Sequence, residues 1–133
     1  MDYKKEMEKL KNLLRDPITI EVAFSPIYSR IFDERSPNFE NNSRYNRMFL
    51  KETEIYANKL LKERGHLFLN EVYDMLGLSH TKTGAITGWK YEENNMNGDN
   101  FVEFNILPYT DIYQLIVDFN VDGVIFDYLP EEL

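Results

Sequence analysis

The chain has 133 residues, 43% apolar and 14% aromatic, with a formal net charge of −8; this fits one packed domain over 1–133 and excludes general disorder. It contains no cysteine, which excludes disulfides, thiolate nucleophiles and cysteine-ligated zinc and fits a reducing cytoplasm. Residues 1–90 nearly balance in charge, but residues 91–133 hold 10 Asp or Glu and no Lys or Arg, a field that repels phosphate backbones and attracts basic surfaces.

The N-terminus is charged throughout and lacks the apolar centre of a signal peptide, and no run approaches the ~20 apolar residues of a membrane span. Tyr3, Met7, Leu10 and Leu14, with Leu13 beside them, predict a helix over 3–15 that Asp16-Pro17 stops. Ile18, Ile20 and Val22 alternate with polar residues and predict a strand over 18–22. Ser25 as N-cap and Pro26 at the first helical position predict a helix over 25–34, with Ile27, Tyr28, Ile31 and Phe32 as its buried stripe. Residues 35–43 are rich in turn formers and read as a loop. A long helix is expected from about Ser43 to Arg64, with Tyr45, Met48, Phe49, Ile55, Tyr56 and Leu60 repeating on one side and Gly65 ending it. A second helix is expected over 66–77, closed by Gly77.

After Gly77 the pattern turns β-rich. Residues 85–91 and 101–106 predict a hairpin with a long polar tip, its Val102, Phe104 and Ile106 facing the core. Thr110 is placed to cap a last helix carrying Ile112, Leu115, Ile116 and Phe119, and residues 123–129 read as a buried closing strand. The expected class is α+β: a small antiparallel or mixed sheet, from the hairpin 85–106 and strands near 18–22 and 123–129, packed against four to five helices.

Candidate chemistry is sparse. "NVDGVIFDY" (120–128) resembles motif one of the haloacid-dehalogenase-like phosphatases, matching at Asp122, Gly123, Val124, Ile125 and Asp127. The nucleophile position holds Asn120, and an amide neither attacks phosphorus nor carries charge for magnesium. The motif also comes near the end of the chain, whereas in that family it opens the domain. A tight turn feeding a core strand, with Val124, Ile125 and Phe126 inside, explains the same letters. "ENNMNGDN" (93–100) has a calcium-loop spacing, but its twelfth position is Phe104 and two of its four ligand positions are amides. His66 and Glu71 are spaced away from a shared helical face, and His80 beside Ser79 is not a triad geometry. Residues 69–89 imitate a helix-turn-helix, but "TKTGAITGW" (81–89) suits a loop and strand better than a recognition helix. Arg44, Arg47, Lys51, Lys59, Lys62 and Arg64 give the helix 43–64 the one basic surface that nucleic acid could use. No catalytic residue, metal ligand or cofactor site is assigned.

The stretches "FLNEVYDMLGLSHTKTGAITGWKY", "GDNFVEFNI" and "FNVDGVIFDY" together resemble an uncharacterised domain family of phages and prophages of low-GC Gram-positive bacteria, over residues 66–128. The resemblance implies a small phage-encoded accessory protein and assigns no residue a role. With the charge pattern it leads to an expected function: a non-enzymatic protein, cytoplasmic in a bacterial host, that binds and inhibits a host defence or nucleic-acid-handling protein, anti-CRISPR action included. The expected contacts are Glu92, Glu93, Asp99, Glu103, Asp111, Asp118 and Glu131 against a basic host surface, with nucleic acid disfavoured at the C-terminal third. Two rivals stand beside it: a phage structural component that buries aromatic residues in a homo-oligomer, and a small metal-dependent enzyme using Asp122 and Asp127.

Overall fold

A computed structural model describes residues 28–92, 99–110, 113–125 and 128–129. The expected helix 3–15, the strand 18–22 and the hairpin tip 93–98 lie outside the described residues.

The elements in chain order are β1 (Arg30–Phe32), α1 (Ser43–Arg64), β2 (His66–Phe68), α2 (Leu69–Met75), a 3-10 turn (Thr83–Ala85), β3 (Thr87–Lys90), β4 (Phe104–Pro108), β5 (Leu115–Phe119) and β6 (Gly123–Val124). The class is mixed α+β, with two α-helices among the described residues and two small antiparallel sheets, ordered β1-β5-β4 and β2-β3-β6. Four to five helices were expected around one sheet.

α1 forms where its periodicity and Gly65 predict. Asn42 caps it by accepting the Tyr45 backbone N–H (2.9 Å). Gly65 ends it in the left-handed conformation (φ 84°), returning its N–H to the Leu61 carbonyl at 2.8 Å. The loop 35–43 also holds as a run of turns and bends. It is pinned from within α1: the fully buried Asn46 donates to the Glu40 and Tyr113 carbonyls and accepts the Glu40 N–H.

Five expectations are corrected, each where strand pairing decides. The helix over 25–34 gives way to β1, because Arg30, Ile31 and Phe32 pair with Val117, Ile116 and Leu115. The helix after Thr110 gives way to β5, the central strand of its sheet, in which Leu115, Ile116, Val117 and Phe119 are buried. A short apolar run of this kind suits a buried strand as well as a helix, and its partners decide. The first residues of the helix 66–77 peel away as β2, which pairs with β3; the remaining helix is α2, closed by Gly77 at φ 72°. The hairpin 85–106 does not exist: β3 joins β2 and β6, while β4 joins β5. Of the expected closing strand 123–129, the described residues keep only β6, two residues paired with Thr87 and Gly88.

One cluster of buried side chains spans both sheets, from Phe32, Leu115, Val117 and Phe119 to Leu67 and Trp89, with Leu50, Ala57 and Leu61 of α1 and Val72 and Tyr73 of α2. The Tyr73 hydroxyl donates to the Tyr28 carbonyl (2.7 Å) and its ring packs edge-on against Phe119. Burial pushes this phenol up to about 12, even with the Arg30 guanidinium over the ring opposing the shift. β2 and β3 approach so closely at Gly88 that a Cβ there would collide with the Leu67 carbonyl.

Candidate functional site: an acidic edge hung from Asn120

The acidic third is organised by amides rather than by its carboxylates. Asn120 follows β5 directly and spends its whole side chain on the chain around it. Its Oδ1 accepts the Trp89 indole N–H (3.0 Å) and the Glu103 backbone N–H (2.6 Å). Its Nδ2 donates to Asp99 Oδ2 (3.0 Å) and to the Phe101 carbonyl (2.9 Å). The residue in the phosphatase nucleophile position is thus a knot between β3, β5 and the segment entering β4. A carboxylate would lack the two donors this knot needs.

Two residues on, the Asp122 backbone N–H donates to the Gly88 carbonyl, and its Oδ2 accepts the Lys90 N–H at 2.8 Å. Loss of solvation pushes the Asp122 carboxyl above its ordinary value, and the charge of Asp99 adds to this against the Lys90 hydrogen bond. Gly123 takes φ 122°, so Asp122-Gly123 makes the expected change of direction. The expected core strand beyond this turn is only partly core: Ile125 is buried, Val124 is exposed, and Phe126 and Asp127 lie outside the described residues. Val124 lies on β6, the edge strand of its sheet, and is exposed.

Asn100 makes a second, smaller knot. Its Oδ1 accepts the Glu92 N–H (3.1 Å) and its Nδ2 donates to the Glu92 carbonyl (2.7 Å). This local clamp accompanies a left-handed backbone (φ 61°), which Asn tolerates better than most residues.

Of the expected contact residues, Glu92, Asp99 and Glu103 are exposed and tied into this one region through Asn100 and Asn120. Asp118 is not with them: it is half-buried and accepts the Ser29 hydroxyl (2.7 Å), a cross-strand tie between β5 and the residue before β1. Glu93, Asp111 and Glu131 lie outside the described residues. Asp122 joins the edge, although by its local sequence it is only a turn residue. Its pairing through Lys90 is a contact 32 residues away that no local pattern announces.

The other candidates resolve into structure. His66 stacks on Tyr128 (centroids 4.3 Å apart, planes at 12°) beside Arg64, which holds Glu71 in a two-pronged ion pair at 2.8 and 3.1 Å. Glu71 also accepts the Phe68 N–H at the start of α2. His80 contacts Asp74 at 2.6 Å on the surface. On the basic helix, Lys51 is engaged by Glu54 (2.8 Å) and Arg64 by Glu71, which shortens the row of cations offered to a phosphate backbone. Among the described residues no group of three His, Cys, Asp or Glu side chains could hold a metal ion, and no helix is long and apolar enough to cross a membrane.

Among the described residues, the shifted carboxyls Asp33 and Asp122 have opposite pH signatures. Partial burial would raise Asp33, but the hydrogen bonds and charge of Arg35 together outweigh it and hold Asp33 below its ordinary value. Its contribution is present above the ordinary carboxylate range and is lost as pH falls through the lowered value. Asp122 is raised, so the fold loses stability as pH rises through that raised value. Asp122→Asn keeps an acceptor for the Lys90 N–H and removes the charge. It is expected to unfold at higher urea than the wild type at about pH 7, with the gap closing by about pH 3. An equal gap at both pH values would contradict this account.

Compared with known proteins, residues 2–129 match the model of a family of unknown function (DUF6353). No curated protein and no solved structure matches the chain.

Proposed function

The chain belongs to that family, whose function is unknown, and we propose from its surface that it is a non-enzymatic binding protein that sets its acidic edge against a basic surface of a partner protein. The supporting observation is that Glu92, Asp99, Glu103 and Asp122 share an edge whose backbone is clamped by the side chains of Asn100 and Asn120. No Lys or Arg interrupts the sequence from 91 to 133. Charges already held in place lose less freedom on docking, and a predominantly acidic edge, with Lys90 beside Asp122 and Lys51 near Glu103 as its neighbouring cations, speeds encounter with a basic surface. In this reading the partner is a host protein met by a phage or prophage accessory factor, such as a defence or nucleic-acid-handling protein whose groove is basic. That biological context rests on sequence resemblance and charge.

The test is affinity purification of tagged protein from a bacterial host lysate, comparing the wild type with Glu92→Lys/Glu103→Lys. Both positions are exposed, so the variant keeps the fold. A stoichiometric partner is expected on the wild type that is lost from the variant and released by about 0.5 M salt. Retention of the same partner by the variant, or at high salt, would refute the acidic-edge reading.

A further inference from the structure

α1 carries two lines of side chains on opposite sides. The inner line, Asn46, Leu50, Thr53, Ala57 and Leu61, is buried. The outer one carries four large apolar residues, Tyr45, Met48, Ile55 and Tyr56, which are 43%, 53%, 59% and 50% exposed. Single exposed apolar residues are ordinary, but four along about three turns of one helix face, in two pairs separated by Glu52, are more than that. Toward α2 it continues into a shallow groove of about 320 Å³ lined by Phe49, Glu52, Thr53, Tyr56 and Met75.

The charges on this face select its occupant. Glu52 and Lys59 stand two turns apart on the outer line, both exposed. They take no part in the neighbouring ion pairs, Lys51–Glu54 and Arg64–Glu71. A parallel copy of the helix in register would set Glu52 on Glu52 and Lys59 on Lys59. An antiparallel copy, turned about a two-fold axis between Ile55 and Tyr56, sets Ile55 on Tyr56 and Glu52 on Lys59, twice over by symmetry. Centring the axis on Glu52 instead would oppose that carboxylate to itself. We propose that this face of α1 binds a second copy of the chain as an antiparallel helix pair, closed at its centre by Ile55 and Tyr56 and flanked by two Glu52–Lys59 ion pairs. This surface uses none of the four carboxylates of the acidic edge, and either proposal can fail without the other.

Sedimentation of the full chain over a concentration series tests it. The wild type is expected to dimerise. Glu52→Lys and Lys59→Glu should each weaken the dimer about tenfold, and the doubly exchanged chain should recover most of that loss. The chain has no native cysteine, so Ile55→Cys should cross-link dimers on oxidation. A monomer at every concentration overturns the proposal. If the Ile55→Cys thiol of such a monomer resists labelling, another segment of the same chain covers the face. A dimer indifferent to all three substitutions, or one the exchanged pair fails to restore, overturns it as well. Glu92→Lys/Glu103→Lys should leave the dimer unchanged.

Discussion

Trp89→Ala is expected to lower the unfolding free energy by roughly 3–5 kcal/mol, a large share of the ~5–15 kcal/mol that holds a domain of this size. Trp89 is fully buried in the middle strand of the β2-β3-β6 sheet, so truncation leaves a cavity that a three-stranded sheet cannot collapse around. Its indole N–H also donates to both the backbone carbonyl (3.1 Å) and the Oδ1 of Asn120. Urea unfolding followed by circular dichroism reads the loss without relying on the chain's one tryptophan. Trp89→Phe separates the two contributions, because it restores most of the volume and none of the hydrogen bonding. An Ala variant within about 1 kcal/mol of the wild type would mean that Trp89 does not join the two halves of the core.

Asn120→Asp would complete the phosphatase motif on paper, and it should make the protein worse at everything. The carboxylate keeps acceptors for Trp89 and Glu103 but loses both donors. It then faces the Asp99 carboxylate and the Phe101 carbonyl at hydrogen-bonding distance. Two lost hydrogen bonds and a like-charge contact at a solvent-exposed site should cost about 1–3 kcal/mol, read as a lower urea midpoint by Trp89 fluorescence. No hydrolysis of p-nitrophenyl phosphate should appear with magnesium. Exchanging the partners, Asn120→Asp with Asp99→Asn, returns one donor across the pair and should recover part of the loss. Full stability in the single variant would show that the knot does not hold the acidic edge; phosphatase activity would reinstate the motif.

The two kinds of knowledge divide by range. The length and the stop of α1 were legible because both signals are local: helical period over six turns and Gly65 after it. The expected edge was legible in part. A run of carboxylates without cations is plain in the letters, but that Glu92, Asp99 and Glu103 share an edge while Asp118 turns to Ser29 depends on contacts 8 to 89 residues apart. Asn100 and Asn120 went unrecognised because an amide that clamps backbone looks, in sequence, like any turn residue.

The sequence by itself determined the mixed composition, the start and stop of α1, the stops at Gly65 and Gly77, the uneven charge, and the loss of the nucleophile at Asn120. Each is a property of a residue or of its near neighbours. Only the tertiary structure decided that Arg30–Phe32 and Leu115–Phe119 are strands, that β3 and β4 part company into different sheets, and which side of α1 is buried. A strand's hydrogen bonds are made to a distant segment, so its identity belongs to the pair rather than to the stretch. On α1, apolar periodicity favoured the outer line, because the inner one includes Asn46 and Thr53. Hydrogen bonds to Glu40, Tyr113 and Phe49 allow those two polar residues to be buried, and such partners become visible only once the chain has folded.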